Sequence, residues 1–188
     1  KITIGLFIAM CLLQWLVPAK MIYDSESLLR EGIQYRFRTI PIDPSDPFRG
    51  KYITLNFEAN SITLPDSTDW KAGEEVFVSF TTDSAGFAKA EAVYKDEPSG
   101  GSYLRTTIRY TTTNEPLRVF FELPFNRFYL EESKAPQAEQ VYLDSQRDST
   151  QVTYGLVSIG TGTALLKDVM INEKSITEIV NELNEAEN

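Results

Sequence analysis

The side chains able to do chemistry are few, and that scarcity frames everything else. The chain has no histidine and a single cysteine, Cys11, set in an apolar run. Without them there is no Ser-His-Asp or Cys-His nucleophile and no ordinary zinc site. No phosphate-cradling glycine loop stands between a strand and a helix, since Gly155, Gly160 and Gly162 fall in a strand-turn-strand context. What remains is a Ser-Lys dyad, a carboxylate pair, or an oxygen-ligand cation site. All three point to one stretch, "DPSDPFRGKYITLNFE", Asp43 to Glu58.

Asp43 and Asp46 stand three apart in a loop and share the geometry of a loose Ca²⁺ site, but the full D-x-[DN]-x-[DN]-G-x₅-E pattern is missing. Ser45 and Lys51, six apart, are the only nucleophile-base pair on offer there. The simpler reading is a rigid corner. Pro44 and Pro47 fix φ near −65°, the aspartates bond backbone N–H groups, Arg49 pairs with Asp43 or Asp46, and Gly50 launches a strand. Structural or recognition residues are therefore expected at Asp43, Asp46, Pro47, Phe48, Arg49, Gly50, Tyr52 and Leu55, with no catalytic residue, no metal and no cofactor. A second aromatic group, "LPFNRFYLEE", sets Phe125, Phe128 and Tyr129 around Arg127; Phe125, Arg127 and Tyr129 are candidate partner contacts.

The elements that must position these residues follow from periodicity. Residues 2–19, "ITIGLFIAMCLLQWLVPA", carry no charge, close to the about 20 apolar residues that cross a bilayer. Lys20 can snorkel, and Trp15 and Tyr23 suit the interface. A cleavable signal peptide is the rival, with Val17 and Ala19 before a cut, but the run exceeds the usual 7–15-residue apolar region. The expectation is an uncleaved transmembrane anchor over residues 1–23, with Gln14 and Trp15 as partner contacts within it. Residues 24–180 are expected to form one β-rich domain, and residues 181–188 an acidic, frayed tail.

Within the domain, "DSESLLREG" predicts a short helix stopped by Gly32. "IQYRFRTI" and "KYITLNFE" alternate with period two, the latter placing Ile53, Leu55 and Phe57 opposite Tyr52, Thr54, Asn56 and Glu58. A hairpin is predicted around Asp83–Gly86, a helix over "APQAEQVYLDSQR", and a last strand pair across Gly160–Gly162. Some eight strands with one or two short helices give a mainly β class, an antiparallel sandwich or partly closed barrel.

Beyond the anchor, 16 basic and 27 acidic side chains leave a net charge of about −11. That sign argues against nucleic acid as a partner. Positive-inside counting sets Lys1 against Lys20, Arg30, Arg36 and Arg38, which by itself favours a cytoplasmic domain, although long domains translocate largely regardless of charge.

These residues also resemble a known family, the bacterial proteins named for a GDYxxLxY motif. The motif reads Gly50-Lys51-Tyr52-Ile53-Thr54-Leu55-Asn56-Phe57, and the likeness extends to "VPA", "LREG", "YRFRT", "PIDPSDPFRGKY", "GFAKA" and "FNRFYLEE". Lys51 stands where the motif has aspartate and Phe57 where it ends in tyrosine. The resemblance implies no established activity. It implies an envelope protein with a membrane anchor and an exported domain, often encoded beside multi-spanning membrane proteins. The resulting expectation is a non-enzymatic, single-pass subunit of the bacterial inner membrane with a periplasmic domain. It would contact lipid through residues 2–23 and an integral membrane protein as partner. An envelope enzyme at the Asp43–Lys51 corner and a small-ligand-binding β-domain are the alternatives.

Overall fold

A computed structural model describes residues 2–41, 52–64, 70–112 and 116–186. Among them the chain forms α1 (Ile2–Glu31), β1 (Ile33–Arg38), β2 (Tyr52–Thr54), β3 (Ser61–Leu64), β4 (Glu75–Thr82), β5 (Ala88–Tyr94), β6 (Tyr103–Thr111) and β7 (Leu117–Phe121). There follow β8 (Arg127–Tyr129), α2 (Ala135–Arg147), β9 (Thr153–Ile159), β10 (Thr161–Gly162), β11 (Ala164–Ile171), β12 (Lys174–Ser175) and α3 (Ile176–Ala186).

The strands make three sheets that curve into a partly closed barrel. One has the order β1-β9-β11-β12; a second runs β3-β7-β6-β4-β5, with β10 joining β6; β2 and β8 form a separate ladder. Pairing is antiparallel except where Thr161 and Gly162 lie parallel to Tyr103 and Leu104. The free edges of β3 and β5 approach one another, which leaves the second sheet short of full closure.

Alternation decides which side chains reach the core. In β1, Tyr35 and Phe37 point inward, and in the stretch after Tyr52 so do Ile53, Leu55 and Phe57. Phe37 is fully buried and lies 5.1 Å from the ring of Phe80, 5.0 Å from Phe125 and 5.8 Å from Phe57, mostly edge to face. Those contacts join β1 to β4 and to both flanks of the β2–β8 ladder. Gly155, opposite Phe37 on β9, is needed here: a Cβ would sit 3.0 Å from Phe57 Cε1.

The predicted hairpin forms between β4 and β5. Asp83 Oδ1 accepts the backbone N–H groups of Ala85 and Phe87, both at 2.9 Å, and Gly86 takes the positive φ of 83° that the turn requires. The bond from Phe87 leads in lowering the Asp83 pKa from its ordinary value. Helix α2 forms where expected, with Pro136 tolerated in its first turn. Its Gln146 Nε2 donates to Thr39 Oγ1 at 2.9 Å, and Ser145 Oγ lies 3.1 Å from Thr153 Oγ1, so the helix is bonded to β1 and β9.

Four expectations are corrected. Among the described residues no helix is long and apolar enough to cross a membrane, so the predicted span is not found. The side chains of Leu6, Ile8 and Ala9, within the apolar run, lie outside those described. The separate short helix is absent as well. α1 is one 30-residue helix running through Tyr23 and Asp24 to Glu31, because Lys20 and Asp24 pair at 2.5 Å one turn apart and nothing there breaks the pattern. Pro18 within it removes the N–H that would bond the Gln14 carbonyl. The tail is not frayed over residues 181–186: α3 continues to Ala186, held by buried Ile176 and Val180 and by a Lys174–Glu182 ion pair. Finally, Ile33 departs from the alternation of β1 and stays 51 % exposed, at the strand's first position, one residue after Gly32 closes α1.

The end of α1 is seated on the barrel. Gly32 N donates to Leu28 O at 2.9 Å, which closes the helix as predicted. Leu28 Cδ1 lies where side chains at Gly32 or Gly160 would have to go, 3.0 and 2.7 Å from their Cβ positions.

Two expected outcomes follow from this packing. Phe37→Ala removes the ring shared by three sheets and is expected to lower unfolding free energy by about 3–5 kcal/mol, read from urea denaturation of the full chain. Tyr142 on α2 is the second case. Its hydroxyl is buried beside Thr39 without a well-formed hydrogen bond, and burial pushes its pKa up to about 12. Between pH 10 and 12 the folded phenol keeps a proton that the unfolded one loses. Stability must therefore fall as pH rises through that window, by at most about 1.4 kcal/mol per pH unit. Tyr142→Phe abolishes this contribution, so the variant should lose about 2 kcal/mol less than the parent between pH 9 and 12, measured by denaturant titration at each pH.

Candidate functional site

The stretch that concentrates charge in the sequence ends in β2. Its corner residues Asp43, Asp46, Pro47, Phe48, Arg49 and Gly50, and the Ser45–Lys51 alternative, lie outside the described residues. From Tyr52 onward the geometry is defined. β2 and β8 pair in the register Tyr52↔Tyr129, Ile53↔Phe128 and Thr54↔Arg127. The two stretches that composition singled out separately are thus adjacent strands.

Alternation divides their residues between two faces. Inward, Ile53, Leu55, Phe57 and Phe125 are buried. Outward, the rings of Tyr52 and Tyr129 are 5.4 Å apart at 56°, and the Arg127 guanidinium lies 5.0 Å from the centre of the Tyr52 ring. Tyr129 is 65 % exposed. The structure therefore brings together Tyr52, Arg127 and Tyr129 on the surface and assigns Leu55 and Phe125 to the core. Gln14 and Trp15 stand apart from this ladder, on exposed α1.

The surface continues into a cleft of about 750 Å³ beside the ladder. Thr54, Asn56 and Asn60 line one side, Asn126 and Glu122 another, and Arg105, Thr107 and Arg109 project from β6. Arg105 is bonded to Glu75 at 2.8 Å, and that carboxylate raises its pKa further. Asn60 Nδ2 donates to Asn56 Oδ1 at 3.4 Å, so those two amides are partly engaged. Arg109 has no hydrogen-bond or ion-pair partner among the described residues, nor does the Asn126 amide. The described lining holds one carboxylate and no lysine, serine or cysteine, so what it offers a ligand is chiefly amide, hydroxyl and guanidinium hydrogen-bonding groups. No group of three or more carboxylate, histidine or cysteine side chains able to hold a metal occurs among the described residues.

Sequence reading missed this cleft. Its signal was the period-two row Arg105, Thr107, Arg109 in "SYLRTTIRYT", which sets two arginines on the outward face of one strand. The asparagines come from two distant segments, Asn56 and Asn60 in one and Asn126 in the other, and carried no signal until the fold joined them.

A match to the family described as GDYXXLXY protein spans residues 14–169, most of the chain. The chain belongs to that family. No curated protein and no solved structure matches it significantly. Within the GDYXXLXY motif the structure separates two kinds of position. Leu55 and Phe57 face the core, whereas Tyr52 faces the ladder surface. Phe57, where the motif has tyrosine, packs a ring without a hydroxyl over Gly155.

This division has a measurable consequence. Tyr129→Ala removes one cross-strand aromatic contact and should cost no more than about 1 kcal/mol. Leu55→Ala opens a cavity in the core and should cost about 2–5 kcal/mol. Urea denaturation of both variants checks the contrast.

Proposed function

We propose that the protein is a non-enzymatic subunit held at the bacterial inner membrane, with its β-barrel on the periplasmic side, assembled with an integral membrane protein. The observation that carries this reading is the uncovered apolar surface of α1. Leu12, Leu13, Trp15, Leu16 and Val17 are each more than 60 % exposed. Because they occupy nearly every position over more than one turn, they face all directions rather than one stripe. A surface of that kind calls for cover on every side, by lipid or by surrounding helices. Gln14 would bond a helix of such a partner for about 1 kcal/mol. The periplasmic orientation rests on the family resemblance.

The test is purification of the tagged full-length chain in a mild detergent. A stoichiometric integral membrane protein is expected to accompany it and to be lost from Leu13→Arg and Leu16→Arg variants, whose barrels keep their thermal transition. A monomer with no accompanying membrane protein would overturn the proposal.

A further inference from the structure

We propose that the cleft beside the β2–β8 ladder binds a glycan chain, with Arg109 and Asn126 as its principal polar contacts and Tyr129, on the adjoining ladder face, as a stacking platform. The cleft falls within the 300–1,000 Å³ typical of ligand sites, yet it is open and polar rather than enclosed and apolar. That combination suits a hydrophilic ligand entering as a chain.

The lining narrows the class. A pyranose offers pairs of neighbouring hydroxyls that both donate and accept, and planar amide, guanidinium and carboxylate groups meet such pairs with two bonds at once. Arg109, Asn126 and Glu122 supply all three planar types. Arg109 and Asn126 reach the ligand at little cost, since neither side chain must first break a bond to another described residue. A free phosphate would be served better by lysines or a nest of backbone N–H groups, and the described lining has no lysine.

The ladder supplies the other half of a sugar site. Thr54 belongs both to the cleft and to β2, where it stands opposite Arg127. From there the outward face leads directly to Tyr52 and the exposed Tyr129. The negative faces of aromatic rings attract polarised C–H bonds, such as those on the flat side of a pyranose. Arg127 over Tyr52 fixes one ring and leaves Tyr129 the more open of the two. This inference does not rest on membrane attachment, and the two can fail separately.

The experiment is calorimetric titration of the full-length chain in detergent with chitotetraose, maltotetraose and tetragalacturonate. At least one oligosaccharide should bind saturably. Arg109→Ala and Asn126→Ala should each weaken it at least tenfold, and Tyr129→Ala severalfold. Tyr110→Ala serves as control, since Tyr110 stacks on Phe120 away from the cleft and should leave affinity unchanged. Unchanged thermal transitions in the variants would show that affinity, not folding, was altered. Absence of binding by all three sugars overturns the inference, as does binding indifferent to Arg109. Equal binding of a tetraserine peptide with the same Arg109 dependence would overturn it in favour of a peptide ligand.

Discussion

The Phe37 ring is the point on which the architecture turns. Backbone bonds such as Glu58 N to Arg38 O and Ile40 N to Asn56 O join the sheets at their margins, but across the core the sheets meet only through side chains. Phe37 enters from β1 and touches Phe80 of β4 together with Phe57 and Phe125. Edge-to-face contacts of this kind add about 0.5–1.5 kcal/mol each beyond the area they bury. Their larger effect is orientational, because each ring tolerates few positions against the next. The ladder of β2 and β8 has only three residue pairs, too few to hold itself in place. Its inner residues are held by the aromatic cluster and by the backbone bonds of Asn56 and Glu58 to the end of β1.

That anchoring explains why a short ladder can present a defined surface. With Ile53, Leu55, Phe57 and Phe125 locked inside, the outward register of Tyr52, Thr54, Arg127 and Tyr129 cannot slip by one residue without exposing the core set. The family motif is readable in the same terms. Its inward positions secure the strand to the barrel, and its tyrosine is what the strand then displays. The cleft beside it adds side chains from β6, an element with no motif of its own.

Legibility in the sequence tracked locality. Asp83 and Gly86 announce their hairpin because the turn is made by those residues alone. The alternation around Ile53, Leu55 and Phe57 announced its buried face for a similar reason, since period two needs no knowledge of the partner strand. The pairing of β2 with β8 was invisible, as it joins residues more than seventy positions apart and depends on the core between them. The same holds for Asn60, Arg109 and Asn126. At the ends of the chain the sequence misled, because composition marks apolar and acidic segments but not what they pack against. Buried Ile176 and Val180 anchor α3, and its acidic composition says nothing of how far that anchoring carries the helix. Continuity of α1 was concealed by its change from apolar to charged residues at Lys20, a change of surface and not of backbone.

That continuity makes α1 a lever. A helix of 30 residues is about 45 Å long, and its last turn is clasped to the barrel where Leu28 fills the space left by Gly32 and Gly160. With no flexible linker between shaft and barrel, a tilt or rotation imposed on the apolar end arrives at the barrel as motion of the whole body. The one softened joint is at Pro18, where the Gln14 carbonyl has lost its helical donor. Bending there would swing everything from Lys20 onward as a unit, so the reach and aim of the ladder surface are set by a single peptide unit some ten residues before the clasp.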